Sequence, residues 1–166
     1  MALNLRAATS DDIPEILAMV RELAEYERDV KSAVATPELM RRALFGDPKR
    51  DGRGAGIAEC FMGEIDGRVE GIALFYMNFS TWTGKPGIYL EDLFVRPPAR
   101  GHGLGKALFV RVAAVAVERG CARMEWSVID WNEPAIGFYK SLGAVPLDGW
   151  TIHRLAGEAL ASVAHG

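Results

Sequence analysis

The stretch Val95-Arg96-Pro97-Pro98-Ala99-Arg100-Gly101-His102-Gly103-Leu104-Gly105-Lys106 joins an apolar run to a segment of helical periodicity. Glycines at 101, 103 and 105 open that helix, so several backbone N–H groups come together at its N-terminus. There the donors lack partners inside the helix and the dipole is positive, which suits an anion. A glycine run alone is also compatible with a merely flexible strand-to-helix turn. Arg100 adds a planar fork that matches phosphate oxygens, so the reading taken is a phosphate site. Two familiar phosphate loops fail on this spacing. A dinucleotide fingerprint needs glycine where Lys106 stands, and a P-loop needs glycine at Arg100 and Ser or Thr at Ala107.

Working outward, the run before the loop, Ile88 to Val95, reads as a largely buried strand stopped by Pro97-Pro98, and Leu104 to Glu118 as a helix closed by Gly120. Upstream, Ile57 to Ile65 and Arg68 to Phe79 are β-prone runs separated by Asp66-Gly67, a hairpin signal that predicts an antiparallel pair. A loop follows from Ser80 to Gly87. Near the N-terminus, Leu3 to Ala7 predicts a short strand. Thr9 and Asp12 form a capping box before Ile13, Ile16, Leu17, Val20, Leu23 and Ala24, which recur at helical spacing up to Tyr26. Thr36-Pro37-Glu38 starts a second helix ending near Gly46, and the glycine-rich stretch from Gly46 to Gly56 reads as a mobile loop. Downstream, Met124 to Ile129 predicts a strand, Asn132 caps a helix running to Leu142, and Val145 to Leu155 predicts a last strand or hairpin. The Ala-rich tail gives no pattern. Antiparallel pairing early and a strand-helix-strand crossover late make a mixed α/β sheet, mostly antiparallel and flanked by helices, in a single domain over residues 1–166.

Composition narrows the partners. The chain has 166 residues, 49% hydrophobic and 25% charged, enough for one core without staples. Its 19 basic and 22 acidic residues give a net charge of −3 and are interspersed, so the basic footprint that nucleic acid or an anionic membrane would need is missing. Cationic small molecules remain open. Cys60 and Cys121 are too few and too separated for a disulfide scaffold or a thiolate metal site, and His102, His153 and His165 show no ligand spacing, so no metal is expected. The N-terminus turns polar too early for a signal peptide. Charges interrupt every apolar run before the roughly 18 residues a membrane span requires, so the expected location is cytoplasmic.

Arg100-Gly101-His102-Gly103-Leu104-Gly105 resembles the Arg/Gln-x-x-Gly-x-Gly/Ala signature of the GCN5-related N-acetyltransferase (GNAT) family, and the resemblance spans nearly the whole chain. It narrows to the diamine (spermidine/spermine) and thialysine branch through Glu22-Leu23-Ala24-Glu25-Tyr26-Glu27, Ser80-Thr81-Trp82-Thr83-Gly84-Lys85, Tyr89-Leu90-Glu91-Asp92-Leu93-Phe94-Val95, Asp130-Trp131-Asn132-Glu133-Pro134-Ala135, Phe138-Tyr139-Lys140-Ser141-Leu142-Gly143-Ala144 and Gly149-Trp150. The resemblance implies a GNAT fold, acetyl-CoA as co-substrate, a small primary amine as acceptor, and a homodimer. Its pyrophosphate would lie on Arg100 to Lys106, including His102, Leu104 and Gly105. The pantetheine arm would run along Leu93, Phe94 and Val95, with Asn132, Ala135 and Phe138 lining the same groove. Asn132 reads equally well as a plain helix cap.

A primary ammonium has a pKa near 10.4, so presenting it neutral at pH 7 costs roughly 4 to 5 kcal/mol and a proton acceptor is worth having. Glu91, in the middle of an apolar strand, is the candidate. Pairing with a structural cation is its other reading, and the resemblance implies the base role, direct or through water. The resemblance also sets the Tyr139 hydroxyl near the coenzyme sulfur as the acid, although a Phe-Tyr pair on a helix by itself suits core packing. Cys60 and Cys121 stand in no matched catalytic position, so direct attack is expected rather than an acyl-enzyme. For the acceptor, Glu27, Asp92 and Asp148 match positions that face the polyamine, Glu125 joins them, and Tyr26, Trp82 and Trp126 offer aromatic surface. Solvated surface faces remain the plain reading of such acids. One departure stands out: Ser80 occupies the place of an acidic residue, and Pro86-Gly87 lengthens the loop by one, which favours a shorter amine or a lysine-like amino acid over spermidine and spermine. Two other readings stay open, a peptide N-acetyltransferase and a non-catalytic acetyl-CoA sensor.

Overall fold

The computed structural model describes residues 1–47 and 55–165. Most of the stretch read as a loop between Gly46 and Gly56 therefore lies outside the described residues. The chain forms two compact units, Met1–Ser127 and Val128–Gly166.

The first unit holds β1 (Leu3–Ala7), α1 (Ile13–Tyr26), α2 (Pro37–Phe45), β2 (Glu59–Ile65), β3 (Arg68–Ser80), β4 (Lys85–Val95), α3 (Leu104–Glu118) and β5 (Met124–Glu125). The five strands lie in sequence order in one sheet. The first three pairings are antiparallel and β4 pairs with β5 in parallel. That is the mixed, mostly antiparallel sheet expected, crossed over through α3. Local chemistry starts the elements where the sequence says. Thr9 N–H donates to the Asp12 carboxylate at 2.7 Å, Thr36 Oγ1 accepts from Leu39 N–H at 3.3 Å, and Asp66 (φ +50°) with Gly67 (φ +79°) makes the left-handed turn that a two-residue hairpin requires.

One face of the sheet buries Met62, Ile72, Leu74 and Phe94 against Ile13, Ile16, Leu17 and Met19 of α1 and Leu44 of α2. The other carries α3. It approaches closely because the cross-strand partners Gly63 and Gly71 have no side chains: a Cβ at 63 would stand 2.9 Å from Leu104 Cδ1, and one at 71 would stand 2.8 Å from the Phe94 carbonyl oxygen. Arg96, just past β4, ties α1 down through Glu15 at 2.6 Å and Glu22 at 2.7 Å.

Three expectations need correction. The segment from Ser80 to Gly87 is only half loop, because the turn needs no more than 81–84: Gly84 takes φ +65°, its N–H reaches the Ser80 carbonyl at 2.9 Å, and Ser80 pairs with Lys85. β5 covers Met124–Glu125 alone, since its ladder with β4 ends at the Tyr89 and Glu125 pair. In the second unit no strand forms from Val145 to Leu155. Val145 is 82% and Ile152 77% exposed, and among the described residues of that unit no strand is present to pair with them. That unit holds α4 (Glu133–Ser141) and α5 (Gly157–His165), the latter built from the tail that gave no pattern. Asn132 Oδ1 caps α4 by accepting from Ala135 N–H at 3.3 Å.

Candidate active site

The glycine loop follows a short 3₁₀ turn, Pro97–Ala99, and opens α3. Gly101 and Gly103 adopt φ +82° and +84°, and a Cβ added at either would meet nothing within 4 Å. Backbone conformation, not crowding, is what selects glycine there. The N-cap is Gly103, which offers no side-chain cap, and the first α3 bond runs from Ala107 N–H to the Gly103 carbonyl. The preceding N–H groups of the first turn are therefore left for an anion. Residues present at the loop thus fit a pyrophosphate by backbone geometry.

β4 supplies a second feature. Arg96 N–H donates to the Glu70 carbonyl across β3, so by antiparallel alternation Leu93 and Val95 turn their backbone groups to the other edge. Among the described residues, the β4 ladder with β5 goes no further than Tyr89. That edge is an added-strand position of the kind an amide-bearing arm can occupy. Part of it is already used: Arg100 Nε donates to the Val95 carbonyl at 2.9 Å. The Arg100 guanidinium lies 5.2 Å from the centre of the Tyr26 ring and 6.0 Å from that of Phe94, on the α1 side.

A bulge interrupts β4 in its middle. Leu74 pairs with Asp92 and Phe75 with Leu90, leaving Glu91 as the extra residue. Glu91 is exposed, whereas Asp92 shares the core face of Leu74 and is half-buried. Burial, with the Glu91 and Glu27 charges adding to it, pushes the Asp92 carboxyl up to about 6. Glu27, the C-cap that follows α1, is raised by burial and then by Asp29. Tyr76 is raised by burial, with Glu91 a lesser cause. The Glu91 and Glu27 charges thus both bear on Asp92 at the bulge. Cys60, buried under the same face, is pushed up to about 12 chiefly by burial, which keeps it a thiol and a poor nucleophile.

The other acceptor-side residues divide. Trp82, on the β3–β4 turn, is 87% exposed. Glu125 is held by Asn78 Nδ2 at 3.0 Å and Arg123 Nε at 2.8 Å, and the Trp126 ring meets Phe109 of α3 edge-on at 5.1 Å, so both make contacts inside their own unit. In the second unit, Tyr139 lies on α4 beside Phe138, their ring centres 5.2 Å apart, and burial pushes its hydroxyl up to about 12. Ala135 lies in the first turn of that helix and Asp148 is exposed. Among the described residues no group of three or more His, Cys, Asp or Glu could hold a metal ion. Sequence reasoning missed the Gly63 and Gly71 pair and the Arg96 tie to α1. A glycine inside each of two strands signals close backbone approach, and that signal was available for the first of them.

The sequence model of the Acetyltransferase (GNAT) family matches residues 18–144. The chain belongs to that family. It is 37% identical over 171 aligned residues to thialysine N-epsilon-acetyltransferase of Sus scrofa, with 96% of each chain covered, and 34% identical to the protein of that name from Caenorhabditis elegans, covering 92% of this chain and 91% of that one. Among solved structures, an integron cassette protein of V. cholerae aligns with a TM-score of 0.78 at 23% identity, over 100% of this chain and 99% of that one. That likeness is one of fold. The GNAT assignment makes the chain an acetyltransferase.

Proposed function

We propose that this protein transfers the acetyl group of acetyl-CoA to a primary amine of a small lysine-like amino acid or short diamine, by direct attack of the amine on the thioester. The observation that carries the reading is the layout of β4. An anion site follows its C-terminal end, and at its bulge a few residues upstream the Glu91 and Glu27 charges both bear on Asp92. A cationic acceptor and an anionic donor can thus be held along one strand. Ser80 is only 4% exposed, so the hairpin offers no carboxylate there for the far nitrogen of a long polyamine. The relatives named above, called thialysine acetyltransferases, support the same acceptor class.

The roles follow from proton bookkeeping. Glu91 takes the ammonium proton, directly or through water, and Asp92 with Glu27 holds a positive charge near the reacting nitrogen. The Leu93 and Val95 N–H groups hold the amide-bearing arm. Tyr139 is the donor toward the departing sulfur. A thiol titrates near 8.5, so with the phenol raised to about 12 full proton transfer from it is uphill by roughly 5 kcal/mol. Its role is therefore hydrogen-bond donation to the developing thiolate. In the second unit Asn132, Ala135 and Phe138 are assigned to the coenzyme and Asp148 to the acceptor; in the first, Tyr26 and Trp82 offer the acceptor aromatic surface, and Glu125 and Trp126 are assigned to it as well. A cytoplasmic homodimer, and one domain spanning both units as the family match over residues 18–144 does, belong to the same reading.

Coenzyme A release measured over lysine, thialysine, ornithine-length diamines and polyamines tests it. The expected result is highest kcat/KM for the short or lysine-like amines. Silence across the panel, with acetyl-CoA bound, would sink the small-amine reading.

A further inference from the structure

Arg100 stands in the motif that holds the coenzyme, yet its own side-chain contacts lie elsewhere. Its Nε is committed to the Val95 carbonyl at 2.9 Å, and its guanidinium rests over the ring of Tyr26 at 5.2 Å. Tyr26 is the last residue of α1, and Glu27 follows it. The turn after them is a tight one: Asp29 N–H reaches back to the Ala24 carbonyl at 2.9 Å while Arg28 takes a left-handed φ of +64°. The helix end that carries Glu27 is thus fixed in the backbone, and its aromatic residue is covered by the side chain that immediately precedes Gly101.

We propose that Arg100 is a positioning residue that couples the two substrate sites: stacked on Tyr26 and bonded to Val95, it sets the glycine loop and the acceptor end of α1 against the same point of β4. This rests on the assignment of the loop to the coenzyme and of Tyr26 and Glu27 to the amine. A guanidinium over a tyrosine face attracts it with modest strength at an exposed site, and its planar head stacks in a way an ammonium does not. The consequence is unusual for an acceptor-side residue. Removing the Tyr26 ring loosens Arg100, and so weakens binding at a loop that Tyr26 does not itself touch in this reading.

A double-mutant cycle on coenzyme A affinity, read by calorimetry with no amine present, tests the coupling. Tyr26→Leu is expected to raise the Kd for coenzyme A about three- to tenfold in the wild-type background and less than twofold when Arg100→Lys is already present. Tyr26→Phe, which keeps the ring face, stays within twofold of wild type, and the urea midpoints of Tyr26→Leu, Tyr26→Phe, Arg100→Lys and the double variant stay together. A factor that is the same in both backgrounds, or no change with Tyr26→Leu, overturns the proposal while leaving the coenzyme assignment standing. Wild-type protein that takes up no coenzyme A overturns both. As a second readout that does not depend on the Tyr26 variants folding, Arg100→Lys at saturating acetyl-CoA should raise the amine KM severalfold. An unchanged amine KM counts against the coupling.

Discussion

At the C-terminal end of β4 the groups offered to a ligand belong to the backbone: N–H donors of an uncapped helix, and two glycines at φ +82° and +84°. A few residues upstream, at the bulge, they are side chains, and each depends on what surrounds it. Glu91 and Asp92 are neighbours in sequence, yet one is exposed and the other is raised to about 6 by burial. A backbone site tolerates little change in residue type, because the conformation is the site. A side-chain site tolerates the wrong residue in the fold but not in the chemistry. Substitutions in the two regions should therefore fail in different measurements.

The largest effect is expected from the chemistry. Glu91→Gln keeps shape and removes the proposed proton acceptor, so kcat/KM at pH 7 should fall by about a hundred- to ten-thousandfold. The deficit should shrink as pH rises toward 10, where the amine arrives neutral. A deficit that is flat with pH would mean that Glu91 holds charge and accepts no proton. Tyr139→Phe should lower kcat by about ten- to a thousandfold with coenzyme affinity kept, and full activity in that variant would move the donor elsewhere. At the other end of β4, Gly103→Val forces a β-branched residue to a left-handed φ, a strain of order 1 to 2 kcal/mol before any rearrangement. The acetyl-CoA KM should rise about tenfold or more while the amine KM holds. Equal increases in both would dissolve the distinction between the two regions.

Much of this was legible in the sequence, for identifiable reasons. The capping box at Thr9 and Asp12, the Asp66-Gly67 turn and the Thr36 and Asn132 caps are local, and local chemistry needs no partner. The glycine loop is of the same kind. What escaped depends on pairing across distance. Gly63 and Gly71 matter because they are cross-strand partners beneath α3, and the bulge at Glu91 exists only relative to β3. Val145 to Leu155 reads as a last strand or hairpin and has, among the described residues, no strand in its own unit to join. Arg100 has the fork and the motif position that suit a phosphate, and nothing local in the sequence announces the Tyr26 ring beneath its guanidinium.

The finest test of the contrast concerns Asp92, whose carboxyl is held up to about 6 from an ordinary 3.8 by burial first and by Glu91 and Glu27 after it. A raised carboxyl means that the folded chain holds a proton which the unfolded chain has already lost between about pH 4 and 6. Stability must then fall as pH rises through that window and stay low above it, by up to about 3 kcal/mol from this group. Asp92→Asn has no charge to bury. It should stabilise the protein by about 1 to 3 kcal/mol at pH 7 to 8, with the gain shrinking through pH 6 and vanishing near pH 4, as urea midpoints across that range would record. A gain independent of pH would place the effect in packing instead. The same carboxylate should serve the acceptor, because a cation beside it favours its charged form. In the wild type the amine KM should therefore climb as pH drops through 6, and in Asp92→Asn that limb should be lost from a KM that is higher throughout.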